Sequence, residues 1–305
     1  MRDILTLIIV CACFVNISLS QQIADESFHP VIQKPEYNKG EGPVIYIDEG
    51  HHNFHTRDGR YKAFSNLLER DGYVVKPFPF KFEEETLDDV RILVISNALN
   101  EANVSNWSNP VYSAFTEKEI EVVQTWVERG GSLFLIADHM PMGGAAKDLA
   151  AAFDFEFTNG FAMDTLKPRT PAYFNRARGL IDNPLTRGRN KDEHVTEVAT
   201  FTGQGFQIPK FATPILVFDD AYVNLLPEQA WSFLVDTPSH NLKGWSQGAF
   251  ANFGKGRIVF FGEAAMFSAQ VVGAEKIKAG MNRDDAGENY KLLLNIIHWL
   301  DNPFD

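Results

Sequence analysis

Short, almost unbroken apolar runs recur along the chain, each closed by Gly, Asp, Asn or His. Val44–Ile47, Tyr73–Phe78, Arg91–Asn97, Ser132–Ala137 and Arg257–Phe261 are too brief for helices and rich in β-branched and aromatic residues. That pattern marks strands covered on both faces. Between them the spacing turns helical. Asp58 to Asp71 places Tyr61, Phe64, Leu67 and Leu68 on one face, with Asp58 as N-cap and Gly72 as stop. Thr116 followed by Glu119 reads as a capping box, opening a helix that buries Ile120, Val123, Trp126 and Val127 and ends at Gly130-Gly131. A small-residue helix follows from Ala145 to Phe153, and Asn289 to Leu300 packs Leu292, Leu293, Ile296, Ile297 and Trp299 onto a sheet. Ala212–Phe218 and Ala230–Val235 are further regular segments, and Gly248 to Gly256 reads as a hairpin arm turning at Gly254–Gly256. Successive strand-helix units predict an α/β fold with a doubly wound, mostly parallel sheet and helices on both faces. Residues 155–211 break the rhythm; they read as an irregular, β-rich insertion bordering the cleft, because their length exceeds what a connector needs.

The first twenty residues stand outside this pattern. Arg2, the apolar stretch from Ile4 to Val15 and the small residues Ser18 and Ser20 read as a secretory signal peptide cleaved after Ser20. The protein is therefore expected to be exported, to the periplasm or the medium. Residues 21–41 form an extended lead-in and 42–305 a single domain. Both cysteines, Cys11 and Cys13, fall in the leader, so disulfides, cysteine-ligated zinc and a cysteine nucleophile are excluded together. A formal charge of −12 without a basic patch argues against nucleic acid as a partner. No later run is long enough to span a bilayer.

Chemistry collects where the strands end. The first finishes in Asp48-Glu49-Gly-His51-His52, with His55 close behind; others finish in Ser96-Asn97, Asp138-His139 and Gly262-Glu263. A parallel sheet brings such ends to one rim, where ligands gather. Glu263, Asp48 and His139 are the candidate catalytic groups, and Glu49, His52, Asn97, Met142 and Asn282 the candidate ligand contacts. A divalent metal such as zinc, held by His51, His55 and Asp138, is the cofactor such a set would take. The competing reading is structural: a histidine after a strand hydrogen-bonds loop backbone, and Asp138 caps the helix beginning near Met142. P-loop, dinucleotide and His-Glu-x-x-His motifs are all missing.

The stretches DEGHHNFHTRDGRY, ADHMPMGGAAKDLA, DNPLTRGR, GKGRIVFFGEAAMFSAQ and GMNRDDAGENYKLLLNIIHWL together resemble a family of exported bacterial proteins. That family is similar to the class I glutamine amidotransferase-like superfamily, in its flavodoxin-like, trehalose-utilisation-like group. The resemblance runs from about Gly42 to Leu300 and implies a flavodoxin-like sheet and sugar-related chemistry. The superfamily's amidotransferases carry a cysteine on the turn that here reads Ala137-Asp-His-Met-Pro141, so glutamine hydrolysis by that route is excluded. The expected function is hydrolysis of a small polar or carbohydrate-derived substrate by activated water. The alternatives are a non-catalytic carbohydrate-binding module, with Phe54, Tyr61, Trp245 and Phe267 as stacking surfaces, and a scaffold for partner proteins.

Overall fold

The computed structural model describes residues 22–167 and 171–304. The expected leader lies outside them. Seven strands form the central sheet: β1 (Val44–Asp48), β2 (Val74–Phe78), β3 (Ile92–Ser96), β4 (Ser132–Ile136), β5 (Thr213–Val217), β6 (Ser246–Phe253) and β7 (Gly256–Phe261). Their order across the sheet is β2-β1-β3-β4-β7-β6-β5. The first five in that order are parallel, whereas β6 pairs antiparallel with β7 on one side and with β5 on the other. The sheet is thus mixed. Its antiparallel edge arises because β6 returns into β7 through a tight turn, where Gly254 takes φ 58°.

Among the described residues four helices exceed two turns: α1 (Lys62–Arg70), α2 (Glu117–Arg129), α3 (Met142–Ala151) and α4 (Asn289–Asp301). Phe64, Leu67 and Leu68 of α1 and Leu292, Leu293, Ile296 and Ile297 of α4 share one core with Ile92 and Val94. Val122, Val123 and Val127 of α2 and Leu149 and Ala150 of α3 share the other with Leu93 and Ile95. Alternate residues of β3 therefore serve opposite faces. This double burial is why the strand reads as a continuous apolar run.

Several local expectations are corrected. α1 starts at Lys62, and Asp58 is no N-cap: its Oδ1 accepts from Lys62 Nζ at 2.7 Å and Arg57 Nη1 at 2.6 Å. α3 starts at Met142 on backbone bonds to the His139 carbonyl, so Asp138 does not cap it. The run Ala230–Val235 forms neither strand nor helix; it belongs to a loop whose neck is the 2.8 Å bond from Leu226 N–H to the Pro238 carbonyl. The α2 capping box is present, with Thr116 Oγ1 accepting from Glu119 N–H at 3.2 Å and Glu119 Oε2 accepting from Thr116 N–H at 2.9 Å.

Outside the central sheet the described residues form three small ones. Gln22–Ala24 of the lead-in adds a strand beside Ala269–Val272. In the 155–211 stretch, Phe161–Asp164 pairs with Tyr222–Leu225 and Ala172–Asn175 with Glu197–Thr200. This stretch reaches the carboxyl ends of the strands, where Gln204 Nε2 donates to the Ala137 carbonyl at 2.9 Å.

Candidate functional site

The structure sorts the strand-end residues into two groups. At the end of β1, Asp48 is fully buried and accepts from Gly50 N–H at 3.1 Å, Asn53 Nδ2 at 2.9 Å and His51 Nδ1 at 2.9 Å. The other ring nitrogen of His51 lies 3.0 Å from Glu119 Oε1. Burial disfavours charge on His51, but the two carboxylates outweigh it and raise its pKa. Burial likewise opposes charge on Glu119, yet its bonds to His51 and Thr116 hold the carboxyl down to about 2. His51 is therefore an imidazolium bridging two carboxylates, and neither nitrogen remains for a metal.

His55 is buried too, but points the other way. His51 lies against Phe82 and Phe115 of the α2 side, whereas His55 lies against Tyr61 of the α1 side with ring centroids 4.5 Å apart. Burial, then the charge of Arg60, push the His55 pKa down to about 3, so the ring is neutral. The segment between them is irregular loop, and the two histidines share no face. They do not meet Asp138. Among the described residues no group of three or more His, Cys, Asp or Glu side chains is arranged to hold a metal ion, which corrects the expected zinc-type site. Glu49 Oε1 accepts from Arg57 N–H at 2.8 Å, and the exposed His52 lines a separate cleft of about 610 Å³ with Lys81, Asn100 and Thr116.

Asn97, Asp138 and Glu263 form the second group. Asn97 Oδ1 accepts from Asp138 N–H at 2.8 Å. Glu263 is fully buried, and its oxygens accept from Ala265 N–H at 2.9 Å and Met266 N–H at 2.8 Å. Burial first, then the charge of Asp138, push its pKa well above the carboxyl range despite those donors. Glu263 is thus a neutral acid under the rim, closed off from solvent; in this conformation it does not face a substrate.

Asp138 and His139 reach the surface only in part, their side chains 13% and 12% exposed. Asp138 Oδ1 accepts from His139 N–H at 2.8 Å and stands 4.0 Å from His139 Nε2. His139 Nδ1 donates to the Met140 carbonyl at 2.7 Å. A carbonyl only accepts, so the proton is on Nδ1 and the lone pair on Nε2. The ring stacks on Phe161 with centroids 4.5 Å apart and planes 14° from parallel, and meets the edge of Trp231 at 4.7 Å. Trp107 lies 6.4 Å from it and continues to Phe54 at 5.7 Å. Over Phe54 sits the Arg60 guanidinium, 3.8 Å from the ring centroid. Met142 is buried with Leu99 and Ala145 beneath Phe54 and Trp107, so it supports the rings. Asn282 is not brought here: it donates to Asp25 Oδ2 at 2.8 Å and the Gln270 carbonyl at 2.9 Å, tying down the lead-in strand.

Backbone strain gathers at the same rim. Among the described non-glycine residues with positive φ are His52 (48°), Asn97 (49°), Thr202 (109°) and Trp231 (66°). For a β-branched or bulky side chain that region costs about 1–3 kcal/mol, and it persists where surrounding structure imposes it. Gly203, next to Thr202, lies so close to the Gly262 carbonyl that a Cβ there would clash with it, and Thr202 O accepts from Gln247 Nε2 at 2.7 Å. Sequence reasoning missed Arg60, Trp107, Phe161 and Trp231. Of the aromatics proposed from sequence only Phe54 is in this row; Tyr61 and Phe267 are fully buried core and Trp245 packs on His240.

No family model matches the sequence, and no curated protein matches it. Among solved structures, the N-terminal domain of mmIFT52 is similar over 85% of this chain and 97% of that one, with TM-score 0.58 and 14% identity. That likeness shows the fold alone. Similar structures also include putative ThuA-like proteins from Bacteroides uniformis (TM-score 0.46, 13% identity, 89% of this chain and 94% of that one) and Parabacteroides merdae (TM-score 0.43, 11% identity, 85% and 90%).

Proposed function

We propose that a cleft edged by Phe54, Trp107 and Trp231, with Asp138 and His139 beneath them and the buried Phe161 supporting His139, binds a small polar compound of the carbohydrate class. The observation that carries this reading is the half-exposed Trp231, held at φ 66° so that its indole meets His139 and Phe161. Flat aromatic faces beside a few fixed polar groups suit a ring with an apolar face and hydroxyl edges. In the same reading the parallel strands β2-β1-β3-β4-β7 are the flavodoxin-like half of a ThuA-like domain, and the chain acts after export.

A second reading is hydrolysis, favoured by the fixed tautomer of His139. Its free Nε2 lone pair accepts a proton from water, and Asp138 at 4.0 Å stabilises the resulting imidazolium.

Isothermal titration of the purified chain with mono- and disaccharides tests the first reading. Saturable heat that Trp231→Ala abolishes is expected; no heat with any sugar, or heat unaffected by Trp231→Ala, would count against the cleft. For the second, release of nitrophenol from nitrophenyl glycosides and esters should fall at least a hundredfold in His139→Ala.

A further inference from the structure

The sequence carries 40 carboxylate side chains against 28 lysines and arginines, so a cation has little difficulty finding an anion. Arg57, Arg91, Arg129, Arg176, Arg178, Arg187, Arg189 and Arg283 each pair with a carboxylate within 4 Å. Arg70 and Arg257 lack one but donate to the carbonyls of Pro30 at 2.8 Å and Asp301 at 3.2 Å. Arg60 stands apart among the described arginines. Its single hydrogen bond is a long one, Nη1 to the Phe54 carbonyl at 3.5 Å, and its Nε is buried without a partner. Burial depresses its pKa, and no neighbouring carboxylate offsets the effect. The neutral His55 beside it offers no counter-charge, and its own Nδ1 is also unpartnered.

This unbalanced cation sits at one end of the aromatic row, and Asp138 lies toward the other. A half-buried guanidinium with no carboxylate beside it and its Nη2 free of hydrogen bonds is a donor that the oxygens of a carboxylate or a sulfate accept from. We propose that the compound bound in this cleft carries an anionic group, a carboxylate or a sulfate, and that Arg60 receives it. The inference rests on the cleft being the binding site, and it narrows the ligand class from carbohydrates at large to acidic ones. The rings set the plane of the sugar; Arg60 decides which sugars stay.

Isothermal titration with glucuronate, glucose 6-sulfate and glucose separates the cases. Glucuronate or glucose 6-sulfate, or both, should bind about ten- to a hundredfold more tightly than glucose, the size of a charge-assisted pair, and the stronger of the two identifies the anion. Arg60→Gln should erase that preference. Arg60→Lys, which keeps the charge without the planar fork, should reduce it only in part. Equal binding of glucose and both acids to the wild-type chain would overturn the proposal while leaving the cleft reading intact, as would a preference that survives in a folded Arg60→Gln. If Arg60→Gln fails to fold, the wild-type comparison still decides. Binding of none of the three removes both readings.

Discussion

His51 Nε2 lies 3.0 Å from Glu119 Oε1, joining the loop that leaves β1 to the first turn of α2 across 68 positions of sequence. With Asp48 on the opposite nitrogen, this bridge holds one side of the rim in place.

Its charge makes stability depend on pH from both directions. The His51 pKa is raised on folding, so its contribution is complete below about pH 6.5 and is lost as pH rises through the higher folded value. The Glu119 pKa falls from 4.5 to about 2, so its contribution is complete above the former and lost as pH falls toward the latter. Urea unfolding of the wild-type chain should show this bridge strongest between roughly pH 4.5 and 6.5. His51→Ala should cost about 3–5 kcal/mol there, because two buried carboxylates then face each other. A variant no less stable than wild type in that window would remove the bridge as a source of stability.

Glu263 makes the opposite kind of carboxyl. Its folded pKa is raised, so its contribution is complete below the unfolded value and falls away as pH rises through the folded one. Glu263→Gln cannot ionise and should gain on the wild type between pH 5 and 8. Glu263→Ala strips the acceptor from the Ala265 and Met266 N–H groups, and each such loss costs about 1–3 kcal/mol. Urea midpoints of the three proteins at both pH values are the check; a glutamine variant that parallels wild type throughout would show that the group is ionised in the folded chain.

Thr202 holds a φ of 109°, which its β-branched side chain resists. Thr202→Gly should raise stability by about 1 kcal/mol, the relieved strain less the extra chain entropy of glycine. A thermal midpoint below that of wild type would mean that the threonine side chain contributes more than its backbone costs.

Trp231 is 51% exposed, so Trp231→Gly should leave unfolding stability within about 1 kcal/mol of wild type while abolishing sugar binding by calorimetry. Loss of binding together with collapse of stability would instead make Trp231 a core residue.

The sequence by itself determined the strands β1, β3, β4 and β7, because residues buried on both faces of a sheet leave an unbroken apolar run that needs no tertiary context to be seen. It determined the start of α2 for a similar reason: the bonds of the Thr116–Glu119 box lie within three residues of one another. It also placed Asp138, His139, Asn97 and Glu263 at strand ends. Tertiary structure alone decided what those ends do. His51 and His55 are four residues apart, yet they enter cores on opposite faces of the sheet, and only the packing of α1 and α2 reveals that. Glu263 looked like an outward-facing acid until the turn at Ala265 folded over it. Trp107 and Trp231 come from two separate loops and Phe161 from a strand of a small sheet, and they meet at His139 by three-dimensional proximity, which leaves no periodic trace in the chain. Arg60 is distinguished by the carboxylate it lacks, and a missing contact is a property of the folded surroundings rather than of any local pattern of residues.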